Sequence, residues 1–326
     1  MANTNPIYKV TDTELTSIAD AIREKTGLTV SLTYVDGFVS ALSNYLASGK
    51  PYTLDNVINR DIVELEGSTS ITSIPDYCFY RYSKLKRVTN ENFPNCTAIG
   101  TNAFTNCSSL EIVDLQNCTF IGSQAFNSCT KLSKISLPNC VQCPTAFAFC
   151  SSLISVNLPM AISVSGAFSY CYNLVSVNLP AVKSVGYYTF YMCSTLTDVN
   201  LPVCSAIGTY AFYSCRSLSS INFTACSSVG DRAFMYCLNL QTVSLPMCSY
   251  IYNSAFNSCY NLMSVYLMST SVVSLGGSSV FYSTPIGGYT ASTGGAYGSV
   301  YVPSSLVTAY QSASYWSAIS ARIAGI

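Results

Sequence analysis

Histidine is absent from this 326-residue chain, tryptophan occurs once, and only 9% of the residues are charged, with 15 basic and 15 acidic side chains. Without an imidazole, a serine or cysteine nucleophile has no ordinary base partner. The zero net charge removes the long-range field that gathers nucleic acid or an anionic membrane. Although 49% of the residues are apolar, no window approaches the ~18 consecutive ones of a membrane span. The start, Met1-Ala-Asn-Thr-Asn-Pro6, lacks the charged segment and apolar run of a secretory signal. These absences predict a soluble chain without enzymatic activity, cofactor, metal, nucleic-acid partner or membrane insertion.

What is present is a repeat. Phe104, Phe126, Phe147, Phe168, Phe190, Phe212, Phe234 and Phe256 each have a cysteine three residues later, from Cys107 to Cys259, and a leucine three after that, from Leu110 to Leu262. Successive phenylalanines lie 21 or 22 residues apart. So short a unit cannot bury a core by itself and must stack on its neighbours, which sorts the chain among solenoids. The full unit reads Phe-x-x-Cys-x-x-Leu-x-x-Val-x-Leu-Pro-x-Cys-x-x-Ile-Gly-x-x-Ala. The alternation in Leu153-x-x-Val156-x-Leu158 predicts a short half-buried strand. Pro159, Pro180, Pro202 and Pro246 end it, so each unit is expected to add one strand to a continuous parallel sheet. Gly100, Gly122, Gly186, Gly208 and Gly230 predict a turn that needs positive φ. Degenerate copies at Ile74-Pro-Asp-Tyr-Cys-Phe79 and Val280-Phe281 bring the array to about ten units.

The 16 cysteines keep phase with the repeat, one set after each phenylalanine and a second at Cys96, Cys118, Cys140, Cys204, Cys226 and Cys248. Fixed phase predicts a fixed inward slot, filled by a reduced thiol acting as a small hydrophobe. Cys140-x-x-Cys143 has metal-site spacing, but no second pair completes it.

Four segments follow. Residues 1–50 differ in kind: Leu15, Ile18, Ala19 and Ile22, and then Phe38, Val39, Leu42, Tyr45 and Leu46, take the spacing of two amphipathic helices. So short a hairpin needs a partner for its apolar faces, either the first repeat, which it would cap, or another subunit or larger assembly, to which it would attach the chain through Leu15, Ile18, Ile22, Phe38 and Leu42. Residues 51–90 form a linker and cap with the first degenerate repeat. Their cluster Arg81, Lys84, Lys86 and Arg87 reads as a solvated end, lacking the glycine cradle of a phosphate site. Residues 91–269 are the regular repeats. Residues 270–326 hold the last degenerate repeat, a Gly-Gly-rich loop over 276–298, and a final strand and helix that place Trp316 on the open end of the core.

The Ala-Phe-x-x-Cys-x-x-Leu-x-x-Val-x-Leu-Pro unit resembles the BspA-type, or treponemal-type, leucine-rich repeats, and the Tyr301-Val-Pro…Tyr310…Trp316 ending resembles the terminal unit found with them. The resemblance implies an α/β leucine-rich-repeat solenoid with a parallel sheet. It also implies adhesion or recognition in bacterial surface proteins or in phage and prophage proteins, without catalytic residues. Thr13-Glu-Leu-Thr-Ser-Ile-Ala-Asp-Ala-Ile-Arg-Glu-Lys-Thr-Gly27 and Val35-Asp-Gly-Phe-Val-Ser40 are similar to a segment of phage structural proteins, which implies a virion setting.

Chemistry-bearing groups are sparse. Glu111 and Asp114 are the acids close in sequence within the repeats, and a solvated edge explains them better than a glycosidase pair. Asn95-Cys-Thr, Asn106-Cys-Ser and Asn117-Cys-Thr match the glycosylation pattern as a by-product of the repeat. The informative variation is tyrosine. Residues 91–150 contain none, whereas 170–266 contain 12, among them Tyr170, Tyr172, Tyr188, Tyr191, Tyr210, Tyr213, Tyr236, Tyr260 and Tyr266. They fall on positions the framework leaves free. Tyrosine with Ser and Asn is the mixture binding loops use, so these nine are the candidate ligand-binding residues. A generic half-polar surface, or a contact with another copy in a homo-oligomer, also fits. The expected partners are a host cell-surface glycan or protein and, through residues 1–50, other virion proteins. The expected location is a phage particle or, alternatively, the bacterial cell surface, and a purely structural or decoration role is the rival.

Overall fold

The structure, a computed structural model, describes residue 60, residues 62–65, residue 69 and residues 71–326. The helices expected within residues 1–50, with Leu15, Ile18, Ile22, Phe38 and Leu42, lie outside the described residues.

Each regular repeat is one turn of a coil, built from short strands and a run of tight turns. The first strand, as in Ser176–Asn178, comes from the Leu-x-x-Val-x-Leu segment, with the central Val177 inside and its neighbours outside. Equivalent strands pair in parallel and in register, with Val177 beside Val156 and Val199. A second strand departs from the expected single strand per unit: Ala206–Ile207 pairs with Ser184–Val185 and Ser228–Val229. Units of this kind therefore contribute to two sheets rather than one. Nor is the long-strand sheet continuous. It divides into Arg87–Thr89 with Ile112–Asp114 and Lys134–Ser136, Ser155–Asn157 with Ser176–Asn178 and Asp198–Asn200, and a five-stranded group from Ser220–Asn222 to Ile323–Gly325. The second strand is only two residues long, too few to show period-2 alternation in the sequence.

The third side of the coil is made of turns, and its backbone is also laddered. Phe104 N–H donates to Ala125 O at 2.7 Å, and the same bond recurs from Phe212 to Ala233 at 2.8 Å. Inside, the phenylalanines form a column from Phe79 to Phe281 with centroids 5.0–5.9 Å apart. Neighbouring rings in offset stacks gain more than their buried area alone provides.

All 16 cysteines are buried and free. The thiol after each phenylalanine makes a specific bond, donating to the carbonyl of the previous unit's phenylalanine at 3.1–3.2 Å from Cys107 through Cys259. The second set donates two residues ahead, as Cys204 does to Ala206 O at 3.3 Å. A thiol suits these slots because it is apolar enough for the core yet supplies a weak donor. Cys143 takes the inward slot that Ile121 fills one unit earlier, and its bond to Cys140 together with burial pushes its thiol well up.

The glycine expectation needs correction. Gly100, Gly122, Gly186, Gly208 and Gly230 do not have positive φ. The left-handed residues come two before and two after each phenylalanine, such as Tyr210 (φ 57°) and Ser214 (φ 59°) around Phe212. What the glycine slot requires is space, because a Cβ on Gly208 would stand 2.7 Å from the carbonyl carbon of Gly186.

The array ends as a cap. After the strand Ser299–Val302 come the helix Val307–Ser312, a 3-10 segment Ser317–Arg322 and a further strand Ile323–Gly325. Trp316 is fully buried, its indole N–H donating to Val273 O at 2.7 Å, while Val273 N–H donates to the Tyr310 hydroxyl at 3.0 Å. The N–H and C=O of Val273 are thus both satisfied by the aromatic residues that close the core. Among the described residues no helix is long and apolar enough to cross a membrane.

Candidate functional site

The turn side carries the tyrosines at positions outside the phenylalanine column, where they stay partly exposed. Tyr170, Tyr188, Tyr210 and Tyr236 all sit at left-handed positions, with φ of 55–63°. A side chain other than glycine, asparagine or aspartate is uncommon there and adds local strain. Coil stacking then brings equivalent positions side by side. Tyr188 stacks on Tyr210 (centroids 5.0 Å, 8° between planes), Tyr191 on Tyr213 (4.8 Å, 8°), and Tyr170 on Phe149 (4.4 Å, 8°). Between these files the rings meet edge to face: Tyr170 with Tyr191 at 62°, Tyr191 with Tyr210 at 68°, Tyr213 with Tyr236 at 85°, and Tyr170 with Tyr172 at 69°. The Arg232 guanidinium lies 5.6 Å from the Tyr210 centroid and pairs with Asp231 at 2.5 Å.

Seven of the nine candidate tyrosines, Tyr170, Tyr172, Tyr188, Tyr191, Tyr210, Tyr213 and Tyr236, therefore join one herringbone array. Tyr260 pairs instead with Tyr289 of the Gly-rich loop, and Tyr266 stacks on Tyr301 in the long-strand sheet. Phe149 and Arg232 complete the array, although composition alone does not single them out. Their phase relative to the repeat phenylalanine, two after and two before, is the signal that finds them. Burial and then the neighbouring phenols push the Tyr191 hydroxyl above its usual range, and burial followed by Tyr236 and Tyr210 does the same for Tyr213. These two central phenols are thus neutral at ordinary pH.

No catalytic constellation accompanies the array among the described residues. Asp114 accepts a hydrogen bond from the Gln116 amide and ends the strand Ile112–Asp114, while Glu111 is exposed just before it. Among the described residues no cluster of three or more His, Cys, Asp or Glu is placed to hold a metal.

The coil, the in-phase thiols and the phenylalanine column together match a described repeat. The model of the BspA type leucine rich repeat region matches residues 57–165 and 162–287. The chain belongs to the BspA-type leucine-rich repeat family. Among solved structures, this BspA-type chain is similar to a T. pallidum leucine-rich repeat protein, with 26% identity over 48% of this chain and 78% of that one, at a TM-score of 0.44. It is also similar to a leucine-rich cell surface protein from Faecalibacterium prausnitzii (21% identity, 79% and 90% covered, TM-score 0.37) and to the pneumococcal vaccine antigen PcpA (15%, 81% and 81%, TM-score 0.30). No curated protein matches it.

Proposed function

We propose that this BspA-type chain is a non-enzymatic recognition protein that contacts a bacterial cell-surface partner through the herringbone tyrosines of its turn side. One observation carries the reading: aromatic residues that the framework does not need converge on contiguous positions of one side, across five neighbouring units, where they remain partly exposed. Such residues give large amphipathic contact area at low entropy cost. The ring faces are largely taken up within the array, by each other and by Arg232. What the array offers outward is ring edges and hydroxyls, which suits a protein surface with carbonyl acceptors better than sugar rings lying flat on a platform.

Two settings remain for the display. A bacterial cell surface is the setting of the Faecalibacterium relative. A virion setting, with residues 1–50 attaching the chain to other particle proteins, is supported by the N-terminal resemblance alone.

The test is binding of the purified chain to whole cells of candidate bacteria. Replacing Tyr188, Tyr191, Tyr210 and Tyr213 together by Ser should weaken binding by at least about tenfold, equivalent to ~1.4 kcal/mol. Each lost aromatic pair removes about 0.5–1.5 kcal/mol of stacking, so the variant should melt at a lower temperature yet keep its circular dichroism. The same four residues changed to Phe keep the stacks and lose the hydroxyls, and binding should fall part of the way. Binding should vary little with salt, since few charges are present to be screened. A Ser variant that binds cells as the parent does would remove the tyrosines from the reading.

A further inference from the structure

A second surface lies mainly on the units before the tyrosines, at the corner between the two strand sides, where residues 91–150 carry no tyrosine. There a shallow groove of about 500 Å³ is lined by Asn95, Thr97, Asn117, Thr119, Asn139, Val141 and Met160. That size falls among small-ligand sites.

The side chains along it are held in place. The amide N–H groups of Asn95, Asn117 and Asn139 donate to the carbonyls of Thr69, Pro94 and Gln116, each in the preceding unit, at 2.7, 2.8 and 2.8 Å. The hydroxyls of Thr97 and Thr119 donate to Thr72 O and Thr97 O, both at 3.2 Å. Each amide spends one N–H on the solenoid, which fixes its plane and leaves its carbonyl oxygen and second N–H for a ligand. The ordering entropy a ligand would otherwise have to supply is therefore already spent. These fixed groups recur at the stacking distance of the coils, about 4.8 Å. Among the described residues no charged side chain lines the groove, and its far end is apolar, with Val141 and the exposed Met160.

We propose that this groove binds a neutral glycan chain lying along the solenoid axis. A polymer of hydroxyl-rich rings presents donors and acceptors at every residue and meets one fixed amide per rung, while Val141 and Met160 receive a C–H face of a sugar. Nucleic acid is disfavoured because no cation lines the groove among the described residues. An added peptide strand is disfavoured because the main chain is already laddered here, with Thr97 N–H donating to Thr72 O and Thr119 N–H to Thr97 O. Two of the three sequences that look like glycosylation sites, Asn95-Cys-Thr and Asn117-Cys-Thr, thus have another meaning: one N–H of each amide is committed to the coil, and the oxygen and second N–H form the rungs.

The experiment is titration of the full chain with hexasaccharides of chitin, cellulose, xylan and mannan, followed by calorimetry and by amide chemical shifts. At least one is expected to bind, with the largest shifts at Asn117, Thr119 and Asn139. Asn117→Ala with Asn139→Ala should weaken it by about tenfold or more. Met160→Lys, at an exposed position, should weaken it too without touching the amide bonds, which covers the case in which the double variant fails to fold. The tyrosine-to-serine variant should bind the sugar as the parent does. The proposal is overturned if no hexasaccharide binds, if binding survives both groove variants, if it is lost in the tyrosine variant instead, or if only peptides shift the groove resonances.

Discussion

Alkali should unfold this protein steeply, with a melting temperature nearly flat from about pH 6 to 8 and falling sharply above about pH 9. The cause is the thiol ladder. Burial pushes every cysteine thiol except that of Cys140 upward, to about 12 for Cys78, Cys118, Cys171 and Cys226 and to about 11 for Cys248. For Cys143 the bond to Cys140 leads and burial adds to it. In the unfolded chain the same groups titrate near 8.5. Above that value the unfolded state binds fewer protons than the native one, so stability falls as pH rises. The contribution is whole below the unfolded value and is lost as pH climbs toward the folded one. Each thiol in that window removes about 1.4 kcal/mol per pH unit, and a handful acting together exceeds the roughly 5–15 kcal/mol of a typical domain. Tyr191 and Tyr213, also raised, add loss of the same sign at higher pH. Circular-dichroism melts across this range check it, and a thiol reagent at pH 8 should find no reactive cysteine before unfolding and all 16 after it. A melting temperature unchanged up to about pH 10.5 would contradict the burial of the ladder.

That ladder shows what is legible in the chain and what is not. The phase of Phe104 to Phe256 and of their cysteines suffices to predict an inward column, because a slot that repeats in sequence must repeat in space once the units stack. The thiol's bond to the previous unit's phenylalanine carbonyl is not legible, since it depends on the rise between coils. The short second strand escapes for a related reason: in Ala206–Ile207 only one residue faces in, and its partners lie a full unit away. The tyrosine enrichment is visible, but its grouping is not. Tyr266 counts with Tyr236 by composition, yet it occupies a strand position and meets Tyr301. Phe149 reads as one more apolar letter, although it shares the left-handed slot of Tyr170. The groove asparagines are visible as Asn-Cys-Thr at two of the three rungs, but their fixed orientation comes from carbonyls 23 or 26 residues earlier.

The glycines hold the expected place in the unit for a different physical reason, and substitution separates the two reasons. Gly208→Ala should destabilise by about 1–3 kcal/mol or more, the usual cost of forcing volume into a packed site. Its new Cβ would stand 2.7 Å from the Gly186 carbonyl carbon and 2.9 Å from the oxygens of Gly186 and Val185, all backbone atoms that cannot swing aside. Gly230 meets Gly208 in the same way, at 2.6 Å, so the three glycines form a contact column along the axis and alanine in the middle wedges two coils apart. If the slot instead demanded positive φ, the penalty would belong to the left-handed residues. There the opposite change is informative. Ser254, with φ of 56°, sits two residues before Phe256, and glycine at that position relieves about 1–2 kcal/mol of left-handed strain against about 0.5–1 kcal/mol of added chain entropy. Ser254→Gly should therefore melt at or slightly above the parent temperature, while Gly208→Ala melts well below it. Denaturant titration of the two variants side by side decides between contact and conformation. Equal melting temperatures for Gly208→Ala and the parent would mean that the coils stand further apart at this corner than the backbone contacts require.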